Sequence, residues 1–386
     1  MKTRRSVRVP RAVYISICVF PVVLTILFYL LRSSKSVMNW TAFYISAPIR
    51  GVLGLLTSVY PFSLMEILCA AAVIWVVYHI VRTIIVTARR RDWLRILAKR
   101  LLPLVVAALY IWAAFCWLWN SGYHASGFAE KNGFSGGGAT VDALIVTTRL
   151  FAEKANEFSP LVARDDDGQF IEDRHEFFEV SPQIYRNLFI EYPDLEGRVF
   201  KPKPMMFSWL MSRTGYTGMY FALTGESNVN INAPTVLMPA TIAHELAHQR
   251  GVFSEDEANF VGIMACLSSG YDVYRYSGYL MGLIYLRNAL FFADSAVWSD
   301  ISESLSPDVL RDLQDNYDYW QSQKTVDTGI EFFDNILTTV TVTVSDTVDT
   351  VYDGYLKAQN QELGIRSYGA CVDLLVEYYS NLGIKD

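Results

Sequence analysis

The tightest constraint on this chain is Ala12 to Leu31, 20 residues without one charged side chain. As a helix such a run covers about 30 Å, the thickness of a bilayer's hydrocarbon core. A second apolar run extends from about residue 64 to 86, with Glu66 near its start and His79 and Arg82 near its end. A third runs from Leu101 to Trp119 and includes Trp112, Trp117 and Trp119, ring types that favour the headgroup level. The first run lacks a small-residue cleavage site and is long for the apolar part of a signal peptide, so it reads as a retained anchor. Tyr44 to Tyr60 is only moderately apolar and is expected in the interface, not as a fourth span.

Charge divides the chain in the same place. Residues 1–119 carry 15 Lys and Arg against two acids, Glu66 and Asp92; residues 120–386 carry 18 against 37. A basic apolar front and an acidic remainder describe a membrane module followed by a water-soluble domain. The acidic balance excludes nucleic acid as an expected partner, because neutralising phosphates needs a basic surface. The expected partners are the lipid bilayer and a protein or peptide substrate.

Lys2, Arg4, Arg5, Arg8 and Arg11 precede the first span, and Arg89, Arg90, Arg91, Arg95, Lys99 and Arg100 follow the second. Only Arg32, Lys35 and Arg50 lie between them. The excess of Lys and Arg on cytoplasmic loops therefore puts the N-terminus inside and everything after Trp119 outside. Trp93, Leu94, Ile96 and Leu97 suit an amphipathic helix lying on the anionic inner leaflet.

The expected organisation is a membrane anchor over 1–120, a Gly- and Ser-rich flexible link over 121–139, and a soluble domain over 140–386. That domain reads as α+β and mostly helical. Helices are expected at Asp142 to Phe158, Ser181 to Tyr192 and through most of Asn259 to Ser380. Thr217 to Gly225 reads as a strand ended by a turn, and Ser227 to Ile231 alternates like a half-buried strand. Ile336 to Val351 fits either period. With no CxxC pair, Cys266 and Cys371 are expected as buried free thiols.

His244-Glu-Leu-Ala-His248 is an HExxH motif. Residues four apart share a helix face, so both imidazoles can reach one zinc ion at about 2.0–2.1 Å. Glu245 sits about 100° round the helix, at the edge of that face. Zinc would lower the pKa of a water to near 7 and polarise a scissile carbonyl, while Glu245 takes the proton and delivers it to the leaving amine. Pro239 suits the first turn of this helix and Gly251 its stop.

A catalytic site needs a third protein ligand. Ser254 falls where an HExxHxxGxxH pattern would place it and is a poor donor; Glu255, Glu257 and Asp256 follow. Ser254 and Glu257 also form an S-x-x-E capping box. Asn259, four residues after Glu255, is a candidate to orient a ligating histidine. Ser227 to Asn232 is the expected edge strand beside the cleft, with Glu226, Asn228 and Asn230 as candidate substrate contacts. Arg275, Tyr276 and Tyr279 are candidate donors to the oxyanion.

The stretches Tyr220-Phe-Ala-Leu-Thr-Gly-Glu-Ser-Asn-Val-Asn230, His244-Glu-Leu-Ala-His-Gln-Arg-Gly251, Glu255-Asp-Glu-Ala-Asn-Phe260, Tyr276-Ser-Gly-Tyr279, Tyr355-Leu-Lys-Ala358 and Ser367-Tyr-Gly369 resemble an uncharacterised bacterial membrane family, DUF3810. The resemblance implies a multi-span anchor and an extracytoplasmic zincin-like peptidase domain with one zinc ion. Glu255-x-x-Ala-Asn259 is also similar to the Glu-x-x-Ala-Asp ligand helix of other membrane zinc peptidases, which favours Glu255 as third ligand; Asn259 replaces the usual Asp. The expected function is a membrane-anchored zinc metalloendopeptidase. The alternative is a non-catalytic metal-binding sensor or scaffold at the cell surface.

Overall fold

The computed structural model describes residues 10–87, 92–136, 140–325, 331–358 and 368–383. The basic residues at Lys2 to Arg8 and Arg89 to Arg91, the Gly137 to Ala139 end of the expected link, and Ser367 lie outside them. The fold is mostly helical with one small sheet. It divides into two compact units, Met1–Arg50 with Ile67–Ala125, and Gly51–Glu66 with Ser126–Asp386.

The helices that begin the chain are α1 (Arg11–Leu31), α2 (Lys35–Thr41), α3 (Ala47–Thr57), α4 (Leu64–Thr87), α5 (Trp93–Phe115) and α6 (Ser121–Tyr123). Three helical stretches are long and apolar enough to cross a membrane: Ala12–Leu31, Leu64–Thr87 and Trp93–Tyr123. Most of their apolar side chains face outward, a surface that hydrocarbon suits and water does not. Within the first unit the Trp117 indole N–H donates to the Leu24 carbonyl at 3.0 Å, and its ring meets Phe28 edge-on. The third stretch starts earlier than expected and continues through a π turn at Cys116–Asn120. Trp93 to Leu97 are thus its opening turns and no separate in-plane helix. Nothing between Leu97 and Leu101 breaks a helix, and long basic side chains near a span's end can reach out to water.

The second unit contains α7 (Phe128–Lys131), α8 (Val141–Phe158), α9 (Arg174–Val180), α10 (Leu188–Glu191), β1 (Lys203–Pro204), α11 (Ser208–Arg213), β2 (Gly218–Phe221) and β3 (Glu226–Val229). It goes on with α12 (Met238–Gln249), α13 (Glu255–Ser268), α14 (Asp272–Ala293), α15 (Ser295–Glu303), α16 (Pro307–Gln323), α17 (Glu331–Ala358) and α18 (Tyr368–Asn381). Helices α8, α12, α13, α14 and α18 surround a core that buries Phe151, Phe260, Leu280 and Leu286. At Gly262 a Cβ would lie 2.9 Å from the His244 nitrogen, so α13 approaches α12 this closely only because residue 262 lacks a side chain.

Several expectations change here. Gly51–Glu66 belongs with the second unit although it precedes two of the apolar helices. The described part of the expected flexible link is built into the fold: Phe128 is buried and meets Phe260 and Tyr192, and Phe134 meets Phe260 edge-on. Its aromatic side chains outweigh its Gly-rich composition. Ser181 to Tyr192 is only partly helical: a 3-10 turn at Ser181–Gln183 and α10 are separated by turn residues 184–187, and Pro193 disfavours helical geometry at Tyr192. The ambiguous Val-rich stretch is helical within α17. Cys266 and Cys371 are free and buried.

The sheet order is β1-β3-β2, β3 running parallel to β1 and antiparallel to β2. The strand expected at the edge is therefore the central one, and all four of its residues are buried. The outer strands are β1 and β2.

Candidate metal centre

Pro239 stands in the first turn of α12, where its missing N–H costs nothing. Gly251 follows the helix with φ +90°, a conformation that other residues adopt with strain. The Gly251-to-Ser254 turn then reverses the chain so that α13 opens with Glu255 over the histidine face of α12. Nε2 of His244 and Nε2 of His248 lie 3.2 and 3.5 Å from the same Glu255 Oε2. All three candidate ligand atoms fall within 4.8 Å of one another. Tetrahedral ligands about 2.0–2.1 Å from a zinc ion are about 3.3–3.4 Å apart, so the donor set and its spacing fit that ion. Val252 carbonyl accepts a hydrogen bond from His248 Nδ1 at 2.8 Å, which assigns the proton to Nδ1 and leaves the Nε2 lone pair for a metal.

Glu245 is buried, and its Oε2 has no hydrogen-bond partner among the described residues. The Tyr220 N–H, on β2, donates to this carboxylate. A Cβ at Gly218 would collide with Glu245 Oε1, so β2 passes over this carboxylate at a distance only glycine allows. Burial pushes the Glu245 carboxyl up to about 7, against the opposing pull of His244 and His248. Burial alone would lower His248, yet the Glu255 carboxylate raises it to about 9. Burial would likewise raise Glu255, but His248 and His244 hold it well below the usual carboxylate range.

The other acids in this turn are used differently. Glu257 accepts from the Phe128 and Ala129 N–H groups at 2.9 Å each and so caps α7; it is not among the clustered ligand atoms. The expected capping box does not form, since Ser254 makes no side-chain cap bond. Asn259 accepts from the Tyr285 hydroxyl at 3.2 Å, and His248 is oriented by Val252 instead.

The three proposed substrate contacts are internal. Glu226 pairs with Lys203 and accepts from the Leu64 and Met65 N–H groups at 3.0 and 2.9 Å. Asn228 donates to the Met219 and Glu226 carbonyls, and Asn230 to Ser212 Oγ and the Tyr216 carbonyl. Their polarity satisfies buried backbone, so alternation here did not mark a wet face. The oxyanion candidates are engaged elsewhere too. Tyr276 is buried and donates to Asp312, whose carboxylate also binds Arg164. Tyr279 stacks on Phe158 at 5.6 Å, and Arg275 lies over the same ring.

Two tyrosines that the sequence did not single out do reach the cluster's surroundings. Tyr352, on α17, donates to Glu255 Oε1 at 2.6 Å, and its ring meets Tyr216 at 5.8 Å. Tyr216 is pushed up to about 12 by burial, then by Asp349 and Glu255, and so remains a hydrogen-bond donor at neutral pH. Tyr352→Phe frees the second Glu255 oxygen and should weaken metal binding by roughly 10-fold, read by competition with a chelating dye. An unchanged affinity would mean that the hydroxyl does not orient the ligand.

These features define a class: a mostly helical chain with membrane-span-capable helices and an HExxH helix whose histidines converge on a carboxylate from the next helix. The chain belongs to the family described as protein of unknown function (DUF3810), which matches residues 42–376, in agreement with the resemblance of its motifs. No curated protein and no solved structure matches.

Proposed function

We propose that this chain is a membrane-anchored zinc metalloendopeptidase whose second unit is a zincin-like domain facing away from the cytoplasm. The observation that carries the reading is the convergence of His244 Nε2, His248 Nε2 and Glu255 Oε2 beside the buried Glu245, whose Oε2 has no partner among the described residues. His244, His248 and Glu255 would hold a zinc ion, which when bound would supply a Lewis acid for the scissile carbonyl and lower the pKa of a water. Glu245 Oε2 accepts the water's proton and passes it to the leaving amine, its carboxylate held in place by the Tyr220 N–H. The outer edge of β2 offers backbone groups to an extended peptide, which would add as a further strand. Tyr216, protonated at neutral pH, is a donor for the developing oxyanion.

Metal analysis of the detergent-purified chain tests the ligand set. Wild type and Glu257→Ala should each retain about one zinc per chain, and Glu255→Ala should lose it. Zinc retained undiminished by Glu255→Ala would overturn the assignment. Because His248 holds a proton to about 9 in the metal-free chain, uptake should release that proton. Apparent affinity should therefore rise roughly tenfold per pH unit between about pH 7 and 8. Calorimetry in buffers of different ionisation enthalpy reads the proton directly, and a buffer-independent enthalpy would contradict it.

The outward orientation rests on the Lys and Arg distribution around the spans. Protease added to intact cells should cut after residue 125; protection until the membrane is opened would reverse the topology.

A further inference from the structure

Large apolar side chains stand exposed on two neighbouring parts of the second unit. On α11 and the residue pair before it these are Met206, Phe207, Trp209 and Leu210, from 41% to 58% exposed. Ser208, Met211 and Ser212 of the same segment are buried, so the short helix is amphipathic with its large apolar residues outward and its serines inward. On α3 and just after it, Leu56 and Val59 are exposed at 62% and 72%. The opposite side of α3 is committed to the domain. A Cβ at Gly54 would lie 2.5 Å from the Phe200 ring, and Thr57 Oγ1 donates to the Thr224 carbonyl at 3.1 Å. A domain bathed in water on this side would have no reason to present these groups together.

Their position identifies what covers them. The Met206 and Phe207 N–H groups donate to the Glu66 carboxylate at 2.9 and 2.8 Å. Glu66 is the third residue of α4, a 24-residue apolar helix. Beneath the exposed patch, Met65 from the same first turn packs with Met205 and Met211. The patch therefore sits one hydrogen bond from the point where a membrane span begins. Leu56 and Val59 flank Thr57, whose carbonyl accepts from Lys203 Nζ at 2.7 Å, and six residues separate Val59 from Glu66. Trp209 belongs to the ring type that concentrates at the headgroup level.

We infer that α11 and the end of α3 form a lipid-embedded platform, by which the metal-bearing unit inserts Met206, Phe207, Trp209, Leu210, Leu56 and Val59 into the adjoining leaflet. This is a second, in-plane attachment in addition to the spans themselves. It rests on α4 crossing the bilayer, and does not depend on the metal or on peptidase activity.

Collisional spin-label accessibility in the full chain tests it. The chain, with Cys18→Ser and Cys69→Ser to remove its non-buried thiols, is reconstituted in phosphatidylethanolamine and phosphatidylglycerol vesicles. Nitroxides are attached at Trp209→Cys and Leu56→Cys, with Met206→Cys as a further patch position. Ile74→Cys, exposed on α4, serves as a lipid reference, and Tyr317→Cys, exposed on α16, as a water reference. The patch labels should resemble Ile74→Cys, with a ratio of oxygen to aqueous nickel-chelate collisions several-fold above that at Tyr317→Cys. A water-like ratio at the patch with a lipid-like Ile74→Cys would overturn the platform alone. Shielding of the patch from both reagents would show that protein covers it, a second copy included, and would also overturn the inference. A water-like Ile74→Cys would overturn the membrane reading beneath it.

Discussion

Glu245→Gln should leave zinc bound and slow hydrolysis of a responsive peptide by about 10²–10⁴-fold. The substitution keeps side-chain volume, so Gly218, whose missing Cβ makes room for this carboxylate, still accommodates it. None of the three ligand atoms belongs to residue 245, and metal content should stay near one ion per chain. What disappears is the basic oxygen. Parallel measurement of metal content and turnover separates this outcome from unfolding. Undiminished cleavage would refute the mechanism; full metal binding with no cleavage by either protein would favour a sensor or scaffold.

The second large effect is on stability. Lys203 and Glu226 form an ion pair whose side chains are 7% and 1% exposed. Glu226 also receives two N–H groups from the first turn of α4, and Lys203 Nζ donates to the Thr57 carbonyl at 2.7 Å. Glu226→Ala strands the ammonium in the interior and leaves both N–H groups without their acceptor. Breaking such a pair from one side removes about 3–5 kcal/mol. In a unit of this size that should lower the melting temperature by roughly 10 °C, followed by tryptophan fluorescence in detergent. A shift below about 2 °C would show that the network contributes little. Glu226→Gln keeps an acceptor and should recover part of the loss.

The two predictions fall on opposite sides of what the sequence made legible. The histidine pair, the place of Glu245 beside it and the bounds of α12 follow from local rules: four-residue helical spacing, proline tolerated in a first turn, glycine at a stop. Glu255 stands first among the acids that crowd one turn, because Ser254 is a poor donor and Glu257 is expected in a capping box; the family resemblance adds to that preference, and the direction of α13 separates Glu255 from Glu257. Gly218 and Tyr352 could not be found in this way. They meet Glu245 and Glu255 across 27 and 97 residues of sequence, and no local pattern encodes such contacts.

Glu226, Asn228 and Asn230 were misread for a related reason. Alternation records which side chains are polar, whereas water and buried backbone satisfy polar groups equally well. The apolar runs proved dependable, since length and missing charge are themselves the physical requirement for a span. Gly51–Glu66 did not declare that its partner lay some 140 to 170 residues away.

That short segment also sets an order of events. Residues 51–66 leave the ribosome well before β1 to β3, so the sheet is completed around a piece already tied to two helices bound for the membrane. A fragment beginning at residue 126 would keep the Lys203–Glu226 pair but lose the Leu64 and Met65 N–H groups that Glu226 accepts from and the Thr57 carbonyl that Lys203 donates to. The second unit as folded therefore includes a segment that the chain makes before two of its apolar helices, and cannot be cut out as one continuous stretch.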